Sequence, residues 1–130
     1  MTTENIKNWL KSVADVGDGI YCGMIDGSKE KCIGVYADRG GHMRVCLGGT
    51  DCTVTATSAF KLLIHWTRDA VTAEEKAQAI YKLFYAYPGG IMDSCRVYAV
   101  DPGGGPIPVG RDDHGINEYV IALKITHERV

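Results

Sequence analysis

The run Thr72-Ala73-Glu74-Glu75 is the strongest local constraint in the chain. A threonine followed three residues later by a glutamate forms a capping box, in which each side chain satisfies a backbone N–H of the opening turn. Ala73, Ala77, Ile80, Leu83 and Phe84 then keep one face at helical spacing until Pro88-Gly89-Gly90 ends the helix. Small residues come early on that face and large ones late. The helix should therefore approach its neighbour closely at its start and anchor a core near its end. One apolar stripe is stable only when another element covers it.

The rest of the chain offers one more helix and several strands. Ile6, Trp9, Leu10 and Val13 share a face over Thr3–Ala14, with Thr2 or Thr3 to cap the start and Glu4 and Lys11 placed to suit the helix dipole. Asp15–Gly19 reads as a stop and turn. Ile20–Ile25 and Lys31–Ala37 are β-prone runs around Asp26-Gly27-Ser28-Lys29-Glu30, and Asp-Gly turns a chain back, so they are expected to pair as a hairpin. Met43–Leu47, set between Gly40-Gly41 and Gly48-Gly49, and the β-branched run Thr53–Thr57 are further strand candidates. Phe60–Trp66, with Leu62, Leu63 and Ile64 in succession, suggests a strand buried on both faces.

Cys95–Val100 and Tyr119–Ile125 alternate as strands do. Between them, Asp101–Gly105 (DPGGG) should not form regular structure, because proline fixes φ and three glycines leave the backbone loose. Pro106 and Pro108 continue that loop in extended form, and by its glycine and proline content Asp101–Gly115 is expected to be poorly ordered in a free chain and to order on assembly. The resulting fold class is α+β: a mostly antiparallel or mixed β-sheet with two helices packed on one face. At 130 residues this is one domain over 1–130, since two would each be too small for a good core.

Bulk properties narrow the function. A hydrophobic fraction of 45% with 23% charged residues is that of an ordinary folded protein. The net charge of −2 gives no drive to coat phosphate, so specific nucleic-acid recognition is not expected. Apolar runs are far too short for a bilayer span, and Glu4, Lys7 and Lys11 interrupt any signal-peptide core in Met1–Val13. A cytoplasmic protein with no membrane partner is the expectation. The five cysteines, Cys22, Cys32, Cys46, Cys52 and Cys95, are odd in number and include no CxxC pair. His42, Cys46 and Cys52 have spacings of no common zinc knuckle, so no metal is expected. Cys22 and Cys32 read as small buried hydrophobes.

Signals for chemistry are few. Gly103-Gly104-Gly105 runs into prolines and Gly48-Gly49 into strand-like residues, so neither makes a phosphate loop and no cofactor is expected. No nucleophile elbow occurs, and no cysteine sits where its pKa would clearly fall. Asp112, Asp113 and His114 form the one dense cluster of catalytic residue types. Paired carboxylates beside an imidazole suit a general base or the metal site of a small hydrolase. The same composition suits a solvated turn between two strands, which is the preferred reading. His65, inside an apolar run, reads as a hydrogen-bonded sheet histidine. Arg39, His42 and Arg44 form a small basic cluster around Gly40-Gly41, read as an exposed loop.

Several stretches resemble a known family. They are Ile6-Lys7-Asn8-Trp9-Leu10, Met24-Ile25-Asp26-Gly27 running into Glu30–Tyr36, Leu62-Leu63-Ile64-His65-Trp66 before the Thr72 helix, and Pro108–Gly115 with Glu118-Tyr119-Val120-Ile121. In this order and spacing they are similar to the minor-capsid proteins of the tail-terminator family of long-tailed bacteriophages and prophages. The last stretch is the most specific. The resemblance implies an α+β subunit that assembles as a hexameric ring on the tail tube, stops its polymerisation and offers a surface to the head connector. It implies no enzyme activity and no catalytic residues to carry over. Its partners would be copies of itself, the tail-tube protein and the head-connector protein. It would be found in the bacterial cytoplasm during assembly and in the virion at the head–tail junction. The loops holding Arg39, His42 and Arg44, and Asp101, Arg111, Asp112 and Asp113, are then the expected assembly contacts. A connector-side head–tail joining protein is the alternative within that class; such proteins tend to be β-barrel-like, against which the two expected helices argue.

Overall fold

A long antiparallel pair, β3 (Thr55–Trp66) against β7 (Asn117–Glu128), forms the spine of the fold, with twelve residues in each strand. The computed structural model describes residues 1–38 and 54–129. The expected strand Met43–Leu47, the cluster Arg39, His42 and Arg44, the thiols Cys46 and Cys52 and the first residue of Thr53–Thr57 lie outside the described residues. The other strands are β1 (Gly19–Cys22), β2 (Lys31–Ala37), β4 (Gly90–Met92), β5 (Cys95–Asp101) and β6 (Ile107–Arg111), with helices α1 (Thr3–Val13) and α2 (Ala70–Tyr85). Strand order is β1-β2-β3-β7-β5-β4, and β6 also pairs with β7. The sheet is mixed and both helices lie on one face of it, as an α+β chain requires.

Cross-strand register explains which face is covered. Ile33, Ile64 and Tyr119 align across β2, β3 and β7, as do Val35, Leu62 and Ile121. These rows share a cluster with Ile6 and Leu10 of α1 and with Ala73, Ala77, Ile80 and Phe84 of α2. Trp9 joins the two helices, its ring centroid 5.2 Å from that of Phe84. Leu83 is half-buried at the margin, and Val13, expected on the buried stripe, is exposed. The α2 helix begins earlier than the capping box suggested. Asp69 is the N-cap and accepts from the Thr72 backbone N–H, and the Thr72 hydroxyl also donates to it. A carboxylate so placed outcompetes a hydroxyl for the first-turn donors.

Two expectations about strands are corrected. The runs flanking Asp26-Gly27 do not form a hairpin: β1 and β2 are parallel, with Gly19 opposite Cys32 and Cys22 opposite Val35. After β1 the chain is held by the Gly23 N–H on the Val35 carbonyl and doubles back over Gly34, where Ile25 packs. The second correction concerns Asp101–Gly115. Ile107–Arg111 is a strand, paired with β7 through a bulge between Pro108 and Gly110. It lies along the same side of β7 as β5 does, the two separated by residues 102–106. That break is tied down rather than loose. Pro102 is buried, Asp101 Oδ1 accepts from the Gly103 N–H at 3.0 Å, and the Tyr81 hydroxyl donates to the Gly103 carbonyl at 2.9 Å. Among the described residues, no helix is long and apolar enough to cross a membrane.

Candidate functional site

On the sheet face away from the helices, Cys32, His65 and Glu118 stand in one row across β2, β3 and β7. His65 is 1% exposed. Its Nδ1 lies 3.2 Å from Glu118 Oε2, so the expected hydrogen-bonded sheet histidine is found. Its Nε2 lies 3.5 Å from Asp112 Oδ2, without the geometry of a hydrogen bond. Asp112 comes from the turn that joins β6 to β7 and is brought there by that turn's own bonding. Its Oδ1 accepts from the His114 and Ile116 N–H groups, both at 2.9 Å, and its carbonyl accepts from Gly115. Gly115 has φ +77, a left-handed conformation that glycine adopts without a side-chain clash. Burial works against the charge on Asp112. The N–H groups of Ile116 and His114 and the nearby imidazoles of His65 and His114 outweigh it and hold the carboxyl below its ordinary value.

The base of the turn is fixed by the two residues that follow β3. Thr67, buried and at φ +40, has a carbonyl that accepts both the backbone and the side-chain N–H of Asn117, each at 3.0 Å. Arg111 Nε donates to Asn117 Oδ1 at 3.2 Å, and Arg68 Nε donates to the His114 carbonyl at 2.9 Å. A cavity of about 320 Å³ opens beside these groups, lined by Gly27, Ser28, Glu30, Arg68, His114 and Ile116. On the same face, Tyr36, Leu63 and Val120, with Lys61 and Asp38 at one side, line a groove of about 350 Å³.

The expected site residues therefore part company. Arg111 and Asp112 are built into the β6–β7 hairpin, and Asp113 and His114 are exposed at its tip. Asp101 is at the far end of the β5–β6 edge and caps its own loop. The cluster Asp112, Asp113 and His114 is a turn, as preferred from sequence. Asp112 Oδ1 is taken up by backbone N–H groups and Oδ2 faces His65, while Asp113 and His114 are exposed. Among the described residues, no group of three or more His, Cys, Asp or Glu side chains is arranged to hold a metal ion.

Cys32 is buried as expected, and Cys22 is exposed, which corrects the reading of it as a core thiol. Burial, with the charges of Asp26, Asp18 and Glu118, pushes the Cys32 thiol up to about 11. The row of cysteine, imidazole and carboxylate therefore lacks a thiolate nucleophile at neutral pH. The approach of Asp112 to His65 was missed from sequence. Its signal was available in the Asp-x-x-Gly turn, but only the cross-strand register shows where that turn folds. Compared with protein-family models and with curated proteins, the chain matches none.

Proposed function

We propose that the chain is a tail-terminator or closely related minor-capsid assembly protein, which closes as a ring of its own copies on the end of a phage tail tube. In this reading it stops tube polymerisation and presents the surface on which the head connector docks. It works by shape complementarity, without chemistry of its own. The resemblance carried by Ile6–Leu10, Glu30–Tyr36, Leu62–Trp66 and Pro108–Ile121 supports it, and these segments make up α1, β2, the end of β3 and the β6–β7 hairpin.

One observation carries the reading on the structural side. The first strand of that hairpin, β6, is exposed at all five residues, with Ile107 and Val109 at 57% and 60%. Among the described residues β6 pairs on one side alone, with β7. Exposed apolar side chains on such an edge are what a subunit that closes on its neighbours would cover. Pro108 and Gly110 in β6 limit indiscriminate strand addition, consistent with a specific partner. The test is negative-stain electron microscopy of particles from a phage or prophage lacking the gene. Overlong, headless tails are expected. Tails of normal length joined to filled heads would overturn the assignment.

A further inference from the structure

We propose that His65 is a proton-dependent clamp on the turn at residues 112–116, gripping it when the imidazole is charged and loosening it when the ring is neutral. The inference is independent of the assembly reading, because it rests on the contacts of one buried ring.

A neutral imidazole has one N–H and one lone pair; an imidazolium has two N–H groups. Here both ring nitrogens face carboxylates, Glu118 Oε2 at 3.2 Å from Nδ1 and Asp112 Oδ2 at 3.5 Å from Nε2. In either neutral tautomer, a lone pair points at one of the two anions. With Nδ1–H donated to Glu118, the buried Nε2 has no hydrogen-bond partner. Only the charged ring has an N–H for each carboxylate, so charging it would turn the approach at Asp112 into a charge-assisted bond like that at Glu118. The two anchors differ in what they hold. Glu118 belongs to the central strand β7, whereas Asp112 belongs to a turn whose His114 and Ile116 N–H groups hang on its own carboxylate. The grip on Asp112 is therefore a grip on the turn, and through Arg111 on the end of the exposed strand β6.

The other charged groups near the ring do not substitute for this proton. Across β2, the Cys32 thiol, pushed up to about 11, remains neutral until strongly alkaline pH, and Asp26 and Asp18 bear on that thiol. Arg68 is engaged by the His114 carbonyl and lies 3.9 Å from Glu30. Arg111 is engaged by Asn117. The His114 imidazole is exposed at the tip and acts on Asp112 through its charge, while the His114 backbone N–H is bonded to Asp112 Oδ1. Asp112, held below its ordinary value, keeps its charge across the neutral range.

The test is backbone hydrogen exchange of the full chain at about pH 5.5 and about pH 8.5, each corrected for the intrinsic pH dependence of exchange. Protection of the His114, Gly115 and Ile116 amides should fall about tenfold or more at the higher pH, the scale set by one charge-assisted hydrogen bond. The Ile80 amide in α2 serves as the internal reference and should not change. His65→Gln should flatten the difference. Should that variant fail to fold, Glu118→Gln provides a second route, since a neutral ring can then accept from the new amide and donate to Asp112. It too should flatten the difference, whereas His114→Gln should keep it. Equal protection at the two pH values in the native chain would overturn the clamp. So would a pH difference that survives in Glu118→Gln or disappears in His114→Gln.

Discussion

Gly34 marks the point where the segment leaving β1 doubles back over β2. A Cβ added there would lie 2.8 Å from Cγ2 of Ile25, 2.8 Å from Cε2 of Tyr36 and 3.2 Å from the Gly23 carbonyl oxygen. The two side-chain ends can give way and the Gly23 backbone, whose N–H is bonded to the Val35 carbonyl, gives way less. Gly34→Ala is therefore expected to cost about 1–3 kcal/mol by overpacking. It should appear as a lower urea midpoint at an unchanged slope. Cys32 gives a second test at this scale. Unfolded, its thiol ionises near 9, and folded it holds its proton to about 11. Between those values the unfolded state binds fewer protons than the folded one, so stability falls as pH rises through that window. Cys32→Ala should remove that part of the alkaline loss, measured as the difference between the two denaturation curves at pH 8 and pH 11. An unchanged alkaline limb would show that the thiol ionises equally in both states. Burial of Cys32 was legible from its place in an apolar alternating run, but the exposure of Cys22 was not. Cys22 ends its strand, and nothing local marks where a strand leaves the sheet.

At the scale of elements, the periodic signals were legible and the directional ones were not. The 3.6-residue period of α2 and the alternation in β7 each arise from one buried face, which the chain records residue by residue. Strand direction has no such record: Asp26-Gly27 is compatible with a hairpin, and only the packing of Ile25 over Gly34 reveals the parallel return of β2. Likewise Pro106 and Pro108 argued against regular structure, because a proline cannot serve the middle of a sheet. The edge position of β6, which is what admits Pro108, is a tertiary fact. The early start of α2 at Asp69 was hidden by a second capping pattern three residues later. The core face of α2 is open to a graded test. Phe84→Ala removes a fully buried ring that also meets Trp9, and should cost about 3–5 kcal/mol. Leu83→Ala, on a half-buried side chain, should cost clearly less than Phe84→Ala. Chemical denaturation of the two variants would decide it, and equal losses would mean that the margin of the helix is as well packed as its centre.

For the whole molecule, the question is what surface the chain keeps for others. The helices cover one face of the sheet, and on the other, among the described residues, the β6–β7 turn and the return segment over Gly34 leave the Tyr36–Leu63–Val120 groove open. Beside that groove, Ile107 of β6 pairs with Val120 of β7, so the exposed edge and the groove are continuous through one residue pair. If β6 joins neighbouring copies, charge placed on it must disturb assembly without disturbing the fold, because neither Ile107 nor Val109 contributes to the buried core. Ile107→Lys combined with Val109→Lys is expected to leave the circular dichroism spectrum unchanged and the unfolding free energy from urea denaturation within about 0.5 kcal/mol of the native chain, as for other exposed substitutions. In a phage carrying the double variant, tails should be overlong and headless, like those of particles lacking the gene. A well-folded double variant that still ends tails at normal length would move the contact away from β6, while the particles lacking the gene would still decide whether the chain terminates tails at all. The two results are separable, because the first concerns one strand and the second the presence of the protein.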